Sequence, residues 1–292
     1  MKEEYILPKN FYKNNLFFFE EKIDENGEKY IDKSMKNRLG FLPCSIWKPD
    51  KNITKLLKSE INDTAQVRKT LNGNRSDRRN GVNNGKCSVF NPHLAQMVLS
   101  AYAPLKCKIY DAFGGGGTRG YIATKMGFDY TGVELREEEY YRVKEQMKEW
   151  GINFNFILGD STTYVNDEKY DFAFTCPPYY DLELYSDLPN DLSNAKTYED
   201  YLEMLKKVLC NIYTMLNKDC FAVFVVGNFR NRKGELQHLN GDLIRLGKEV
   251  GFKLWDELIW EGASNVALTR CGKFETNRKS VRMHEYIIIL KK

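Results

Sequence analysis

Residues 108–120 read KIYDAFGGGGTRG, and this stretch decides the fold that the sequence predicts. Its first six residues, ending at Phe113, are apolar enough for a short buried strand, and the four glycines that follow predict a tight turn. Gly115, Gly117 and Gly120 satisfy the spacing G-x-G-x-x-G. In that pattern a glycine-rich turn lets a ligand approach the backbone at the start of a helix. By itself the pattern is weak, so the rest of the chain has to support it.

Acidic residues follow the next two predicted strands. Strand 129–134 ends in Glu134, and strand 154–158 is followed by Asp160. Glu134 stands at the distance from the first strand at which a carboxylate meets the ribose hydroxyls of a bound nucleoside. Because the carboxyl ends of parallel strands meet at one edge of a sheet, Asp111, Glu134 and Asp160 are predicted to converge there.

A fourth predicted strand, 170–175, stops at Cys176-Pro-Pro-Tyr179, with Tyr180 next. Prolines cannot donate the hydrogen bonds of a strand ladder, so the strand ends there and presents its last carbonyl groups to a cleft. The aromatic rings that follow suit a flat heteroaromatic base. A plain exit from a strand into a loop is the alternative, but the acids at the same sheet edge favour a ligand site.

Strands and helices alternate through the rest of the chain, which is typical of a mostly parallel sheet with helices on both faces. The predicted strands are 108–113, 129–134, 154–158, 170–175, 220–227, 252–260 and 284–290. The predicted helices are 93–102, opened by Asn91 and Pro92, then 118–126, 136–149, 197–216 and 240–250. Helix 197–216 carries an apolar stripe that predicts burial on the sheet: Tyr198, Leu202, Leu205, Leu209, Ile212 and Leu216. Residues 1–85 lack a long periodic stretch and are predicted to be an N-terminal extension packed on a main domain of residues 86–292.

Taken together, these motifs resemble those of S-adenosylmethionine-dependent DNA methyltransferases that modify the exocyclic amino group of adenine (N6) or cytosine (N4). Segments 175–186, 221–228 and 272–279 are similar to DNA methylases of phages and prophages. The resemblance covers about residues 86–292 and implies a Rossmann-like α/β fold with a seven-stranded sheet. It also implies S-adenosylmethionine as the cofactor and double-stranded DNA as the partner.

The resemblance also assigns roles to individual residues. The expected cofactor-binding residues are Asp111, Phe113, Gly115, Gly117, Thr118, Glu134 and Asp160. The expected catalytic residues are Cys176, Pro177, Pro178 and Tyr179. In this family the tetrapeptide usually opens with Asp, Asn or Ser, whereas the thiol of Cys176 is a poor hydrogen-bond acceptor.

Amino methylation explains why such residues are needed. An exocyclic amine is a weak nucleophile, because its lone pair is delocalised into the ring. The enzyme therefore has to accept hydrogen bonds from the protons of the amine. The Pro177 carbonyl is the first candidate for such an acceptor. The amine is inaccessible in a duplex, which predicts a flipped base stacked on Tyr179, with Tyr180 nearby. Asp181, Glu183 and Asp187 form a loop that either closes over the base or is a solvated acidic loop.

A nucleophilic role for Cys176, as in enzymes that methylate a ring carbon of pyrimidines, is a sharper alternative. It requires an exposed sulfur with a depressed pKa. The ring-carbon enzymes have a cysteine after a proline and a Glu-Asn-Val tripeptide; here the cysteine precedes two prolines and that tripeptide does not occur. Cys176 is therefore predicted to be a small space-filling side chain beside the base.

Two basic clusters flank the motifs in sequence, although the net charge of +4 is too small for a global basic footprint. One cluster spans residues 68–86 and the other spans 270–282. We expect phosphate contacts from Arg78, Arg79, Lys273, Arg278 and Lys279, with Tyr180 as a further DNA contact. The alternative is an ordinary solvated surface.

Three other classes of function also fit parts of this sequence. A nicotinamide-dependent oxidoreductase would use the glycine pattern and Glu134 but leaves Cys-Pro-Pro-Tyr unexplained. A catalytically silent DNA-binding protein with this fold is a second alternative, because Cys176 departs from the usual tetrapeptide. An RNA methyltransferase is a third, since the fold does not specify the nucleic acid.

The cysteine and histidine content of the chain indicates in which cellular compartment the protein works. The seven cysteines show no C-x-x-C spacing and there are only three histidines, which disfavours a disulfide framework and a metal site. No apolar signal region opens the chain and no run is long enough for a membrane span. These features predict a cytoplasmic protein, and the resemblance to phage and prophage methylases implies a bacterial or phage-infected cell.

Overall fold

The computed structural model describes residues 21–23, 29–31, 44–61, 89–231, 233–262 and 274–292. The strands are β1 (Glu21–Ile23), β2 (Lys29–Ile31), β3 (Ile46–Trp47), β4 (Lys108–Asp111), β5 (Asp129–Glu134), β6 (Asn155–Leu158), β7 (Tyr170–Thr175), β8 (Leu216–Val226), β9 (Phe229–Arg230), β10 (Leu236–Gln237), β11 (Lys253–Glu261) and β12 (His284–Lys291). The helices are α1 (Lys51–Ile61), α2 (Pro92–Tyr102), α3 (Thr118–Lys125), α4 (Glu137–Trp150), α5 (Tyr198–Met215), α6 (Leu239–Val250) and α7 (Phe274–Asn277).

The main sheet has eight strands in the order β3-β11-β12-β8-β7-β4-β5-β6. Only β12 is antiparallel to its two neighbours, and the other strand pairs are parallel. The predicted mostly parallel α/β fold is therefore confirmed. The seven predicted strands are all present, and β3 adds an eighth strand at one edge.

Helices cover both faces of this sheet. Val223 and Val225 of β8 face one cluster of buried side chains, which also contains residues of α1 to α4. Ala222 and Phe224 face the opposite cluster, which contains residues of α5 and α6. A strand buried on both sides reads as a continuous apolar run, which is what the sequence shows here.

Element boundaries agree with the sequence prediction to within one residue at each end, with two exceptions. Strand β4 ends at Asp111 rather than at residue 113, because Ala112 and Phe113 already belong to the turn. Strand β8 begins at Leu216 rather than at residue 220, since α5 leads into it without a loop. Leu216 is thus buried at the start of a strand and not on the helical stripe, whereas Leu205, Leu209 and Ile212 are buried on α5 as predicted.

Strand β3 and helix α1 of the N-terminal segment pack on the rest of the fold. Leu57 and Ile61 of α1 and Trp47 of β3 belong to the same buried cluster as α2 and α3. The indole of Trp150 at the end of α4 donates a hydrogen bond of 2.8 Å to the Ile61 carbonyl. No helix in the described residues is long and apolar enough to cross a membrane.

Candidate active site

A cavity of about 400 Å³ opens at the carboxyl edge of the central strands. Its volume lies within the usual range of small-molecule sites. Nine of the eleven residues expected to bind the cofactor or to act in catalysis line it: Phe113, Gly115, Thr118, Glu134, Asp160, Cys176, Pro177, Pro178 and Tyr179. We call the part lined by Gly115, Glu134 and Asp160 the glycine end, and the part lined by residues 176–179 and Glu285 the proline end.

The glycine-rich turn depends on left-handed backbone at two positions. Gly115 has φ 52° and Gly117, the N-cap of α3, has φ 78°. Residues with a Cβ rarely adopt this conformation. A Cβ at Gly117 would also lie 3.0 Å from Cγ1 of Val143. Gly117 is therefore needed to shape the turn, and it does not itself line the cavity.

Asp111 lies behind the cavity wall, with no exposed surface, and this corrects its expected direct contact with the cofactor. Its carboxylate accepts hydrogen bonds from the Arg119 guanidinium (2.7 Å), the Tyr130 hydroxyl (2.6 Å) and the Thr175 hydroxyl (2.7 Å). The Phe113 backbone N–H donates to the same group. Asp111 thus connects the glycine-rich turn to the end of β7, directly before Cys176, and has no acceptor capacity directed at a ligand.

Glu134 and Arg136 form a buried, charge-compensated pair at the glycine end. Glu134 is 8% exposed and lines the cavity, and its Oε1 accepts from the Arg136 backbone N–H at 2.9 Å. The Arg136 guanidinium lies 3.6 Å from the same oxygen and 3.5 Å from the buried carboxylate of Glu139. These contacts hold the Glu134 side chain in one orientation toward the cavity.

The loop after the tetrapeptide covers the glycine end and connects it to the proline end. Asn190 donates a hydrogen bond of 3.0 Å to Oδ2 of Asp160. Arg136 lies under the ring of Tyr185, 5.8 Å from its centroid. Of the acidic residues expected in this loop, Glu183 lines the cavity and Asp187 is exposed, while the side chain of Asp181 lies outside the described residues.

The tetrapeptide lines the cavity, and the carbonyl groups of its two prolines differ in their hydrogen bonds. The Pro178 carbonyl accepts a 2.7 Å hydrogen bond from the Tyr201 hydroxyl of α5. Within the described residues no group donates to the Pro177 carbonyl. Pro177 is therefore the one of the two whose oxygen is available to a ligand.

Tyr179 is held on both sides. Its hydroxyl donates a 2.7 Å hydrogen bond to Oε1 of Glu285 on β12. Its ring lies against Gly227, where an added Cβ would be 3.2 Å from Cε2 of the tyrosine. The ring is thus fixed along one wall of the cavity.

Cys176 does not have the properties of a nucleophilic thiol. Burial raises the pKa of its thiol to about 12, although the charge of Arg119 acts in the opposite direction. At neutral pH the sulfur is therefore protonated. Its hydrogen-bonding neighbour is the Tyr179 hydroxyl at 3.9 Å.

Tyr180 is directed away from the cavity, in contrast to the expectation that it lies beside the base. Its ring packs among Tyr198, Tyr201 and Phe229, with centroid separations of 5.6, 5.8 and 6.2 Å. The backbone of Tyr180 lies in the left-handed region, with φ 48°. The second tyrosine of the motif is thus part of the packing of α5 against the hairpin that begins at Phe229.

Sequence patterns missed several residues that line the cavity. Phe90 lies under the guanidinium of Arg119, 4.7 Å from the charge to the ring centroid, and Trp260 is the register partner of Glu285. Lys58 of α1, from the predicted extension, also lines the cavity. In the sequence, Phe90 and Trp260 differ from a surface residue only by being aromatic. Many core residues are aromatic too, so this property does not identify a site residue.

The predicted DNA contacts are only partly within the described residues. Arg78, Arg79 and Lys273 lie outside them. Arg278 is exposed and lies over the Phe274 ring, while the ammonium group of Lys279 lies close to Gly234 in the turn between β9 and β10. Neither Arg278 nor Lys279 lines the cavity.

Comparisons with known proteins point to methylases. A family model for N6/N4 methyltransferases, described as DNA methylase, matches residues 170–292, which confirms the predicted resemblance over that part of the chain. The type II methyltransferase M.MjaVI of Methanocaldococcus jannaschii is 28% identical over 131 residues, which are 44% of this chain and 65% of that protein. The match therefore spans less than two thirds of the length of that relative. A phage or prophage origin stays a prediction.

Two solved structures superpose on part of this chain. TrmN from Thermus thermophilus superposes with a TM-score of 0.45 and 15% identity, covering 70% of this chain and 49% of that one. A methyltransferase from Pyrococcus furiosus superposes with a TM-score of 0.47 and 13% identity, covering 70% of this chain and 83% of that one.

Proposed function

We propose that this protein is a DNA methyltransferase that transfers a methyl group from S-adenosylmethionine to the exocyclic amino group of adenine (N6) or cytosine (N4) in a flipped-out base. The observation that carries the proposal is a single cavity lined by the glycine-rich turn, Glu134 and Asp160 at one end and by the Pro-Pro-Tyr sequence at the other. The two ends suit two flat ligands brought edge to edge. Positioning of this kind accelerates a transfer without a covalent enzyme intermediate.

The groups at the glycine end fit S-adenosylmethionine. Glu134 accepts hydrogen bonds from the ribose hydroxyls, and Asp160 lies close to the adenine amine. Glu134 suits the ribose of either cofactor, but the Pro-Pro-Tyr sequence in the same cavity has no task in a nicotinamide-dependent oxidoreductase, which disfavours that class. When bound, S-adenosylmethionine supplies an electrophilic methyl group.

At the proline end the chain's own residues receive the base. Tyr179 provides a stacking surface, and the Pro177 carbonyl accepts a hydrogen bond from the target amine. Phe90 and Trp260 make the surroundings aromatic and exclude water. The neutral thiol of Cys176 fills space beside the base and forms no bond to it, which favours amino over ring-carbon methylation.

The test is methyl transfer to nucleic acid with labelled S-adenosylmethionine, followed by mass spectrometry of the released nucleosides. N6-methyladenine or N4-methylcytosine in DNA is expected. 5-Methylcytosine would indicate ring-carbon chemistry, and transfer to RNA alone would change the substrate class. Binding of S-adenosylmethionine and DNA without any transfer would favour the catalytically silent DNA-binding protein.

Basic residues beside the proline end are proposed to contact DNA phosphates. The hairpin of β9 and β10 begins two residues after Gly227, which touches Tyr179, and Lys279 reaches its turn. Replacing Arg278 and Lys279 with alanine should weaken binding on all sequences and lower the salt dependence by about one unit per lost phosphate contact. Fluorescence anisotropy at several salt concentrations measures both quantities.

A matched control for this test is the replacement of Lys144 and Lys148 of α4 by alanine, which removes the same charge from a helix that does not line the cavity. An equal loss of binding in the control would mean that only net charge matters. An unchanged salt slope in the Arg278 and Lys279 variant would leave these residues as ordinary solvated surface.

A further inference from the structure

Glu285 is a carboxyl group at the proline end to which neither the sequence motifs nor the family resemblance assigned a role. It is the second residue of β12, pairs in register with Trp260 of β11, and lines the cavity together with that ring. A carboxyl group among aromatic rings and prolines loses much of its hydration. Such groups need a specific partner or a specific task.

The partner of Glu285 is the hydroxyl of Tyr179, which donates to Oε1 at 2.7 Å. Cys176 lies on the other side of the same hydroxyl, with its sulfur 3.9 Å away. Among the described residues no other group donates to Glu285, and no lysine or arginine forms an ion pair with it. Oε2 is therefore left for a ligand in the cavity.

The proposed reaction requires two acceptors, because an exocyclic amine carries two protons as its nitrogen becomes tetrahedral. The Pro177 carbonyl serves one proton. The Pro178 carbonyl is already occupied by Tyr201, and the protonated thiol of Cys176 is a weak acceptor. The proline end thus holds one carbonyl and one carboxylate for the two protons.

We propose that Glu285 is the second acceptor for the target amine and the base that removes its proton after methyl transfer. This inference rests on the proposed function. The amine nitrogen forms a bond to the methyl carbon while the carbon–sulfur bond breaks and leaves its electron pair on sulfur. The nitrogen becomes cationic, its N–H bond then breaks with the electron pair staying on nitrogen, and the proton moves to Glu285. The products are a neutral methylamino base, a neutral thioether and a protonated carboxyl group that later releases its proton to water.

The surroundings of Glu285 suit this task. Burial raises the pKa of its carboxyl group, while the hydrogen bond from Tyr179 acts in the opposite direction. A general base works best when its pKa lies near the working pH, so an upward shift from the usual acidic range improves proton removal. Tyr179 and Cys176, which lie next to the carboxyl group, are both neutral at pH 7, because burial raises the pKa of each.

The test compares single-turnover methyl-transfer rates of the wild type, Glu285→Gln and Tyr179→Phe on the same unmethylated DNA. Glutamine has nearly the same shape and still accepts hydrogen bonds, but it takes up no proton. Loss of a general base typically lowers the rate by about 10²–10⁴-fold, so we expect Glu285→Gln to fall in that range. Its affinity for S-adenosylmethionine and its melting temperature should match the wild type. Tyr179→Phe keeps both the carboxylate and the ring and should lose less than about tenfold, the share expected of one hydrogen bond.

Three results of these assays would contradict the role proposed for Glu285. If Glu285→Gln transfers methyl groups within about threefold of the wild type, well below the loss expected of a missing base, Glu285 is not the base, and the proposed function stands. If Tyr179→Phe loses as much as Glu285→Gln, the carboxylate acts only by holding the tyrosine. A wild type that methylates no DNA would remove the proposed function and this inference together.

A second variant addresses a possible folding defect in Glu285→Gln. Glu285→Ala leaves room for a small carboxylate, and added formate should restore part of the rate in proportion to its concentration. Chloride at the same ionic strength is the control and should restore nothing. A folded Glu285→Ala variant whose rate does not respond to formate would overturn the proposal.

Discussion

Glu134 at the glycine end and Glu285 at the proline end are held in opposite ways, by a charged and by a neutral partner. At the glycine end, Glu134 is balanced by the Arg136 guanidinium, and Asp111 behind the wall is balanced by Arg119. At the proline end, Glu285 has the neutral hydroxyl of Tyr179 as its partner. A counter-charge fixes the geometry of a carboxylate and of its neighbours, whereas a partly buried carboxyl group with a neutral partner is free to exchange a proton.

This difference matches the two tasks proposed for the cavity. A cofactor has to be bound in one orientation, and rigid ion pairs provide that orientation. A base undergoing amino methylation has to lose a proton, and an ion pair would hold the accepting carboxylate in its charged form. Breaking each of these arrangements separately should therefore produce different defects.

The largest effect is expected from Asp111→Asn, which leaves the buried Arg119 guanidinium without its counter-charge. Removing one partner of a buried ion pair typically costs about 3–5 kcal/mol of unfolding free energy. Chemical denaturation measures this quantity. As a control, Glu249→Gln breaks an exposed cluster with Lys206 and Arg245 and should change stability little. Equal effects of the two substitutions would show that the buried network does not hold the glycine-rich turn to β7.

Tyr179→Ala should lose most methyl transfer while still binding S-adenosylmethionine. Base stacking on an aromatic ring is worth about 1–3 kcal/mol, and this variant also removes the hydrogen bond to Glu285. Transfer assays and calorimetry measure the two properties separately. Tyr180→Ala is the matched control, because that ring packs away from the cavity. A variant at position 179 with full activity would remove the stacking assignment.

Glu134→Ala should weaken binding of S-adenosylmethionine by at least about tenfold, because a charge-assisted hydrogen bond is worth about 1.5–3 kcal/mol. Isothermal titration calorimetry of the folded variant gives the affinity. Glu137→Ala, at the start of α4 and outside the cavity lining, is the control. Unchanged affinity in Glu134→Ala would remove this residue from the cofactor site.

Cys176→Ser should have the smallest effect and should retain methyl transfer. The thiol stays protonated at neutral pH because burial raises its pKa to about 12. A hydroxyl at this position is a better acceptor and should leave the rate unchanged or raise it. A folded, cofactor-binding Cys176→Ser variant without activity, together with a trapped adduct on DNA containing 5-fluorocytosine, would instead indicate ring-carbon chemistry.

Local sequence patterns were sufficient to predict much of the fold and most of the residues that line the cavity. The alternation of strands and helices, the left-handed glycine turn and the end of β7 at two prolines all follow from constraints that act between neighbours in the chain. Apolar periodicity reports burial, glycine permits positive φ, and proline removes a ladder donor. For the same reason most of the residues expected at the carboxyl edge do line one cavity.

Only the tertiary structure decided what each of those residues faces. Asp111 has the same sequence context as Glu134, at the end of a parallel strand, yet the arginine of α3 encloses it while Glu134 reaches the cavity. Tyr180 follows Tyr179 directly, but its ring packs against Tyr198 and not along the cavity. Glu285 meets Tyr179 across 106 residues of chain, through the register of β12 in the sheet. Contacts of that kind depend on which strands become neighbours and in what register, and no pattern within a short window carries that information.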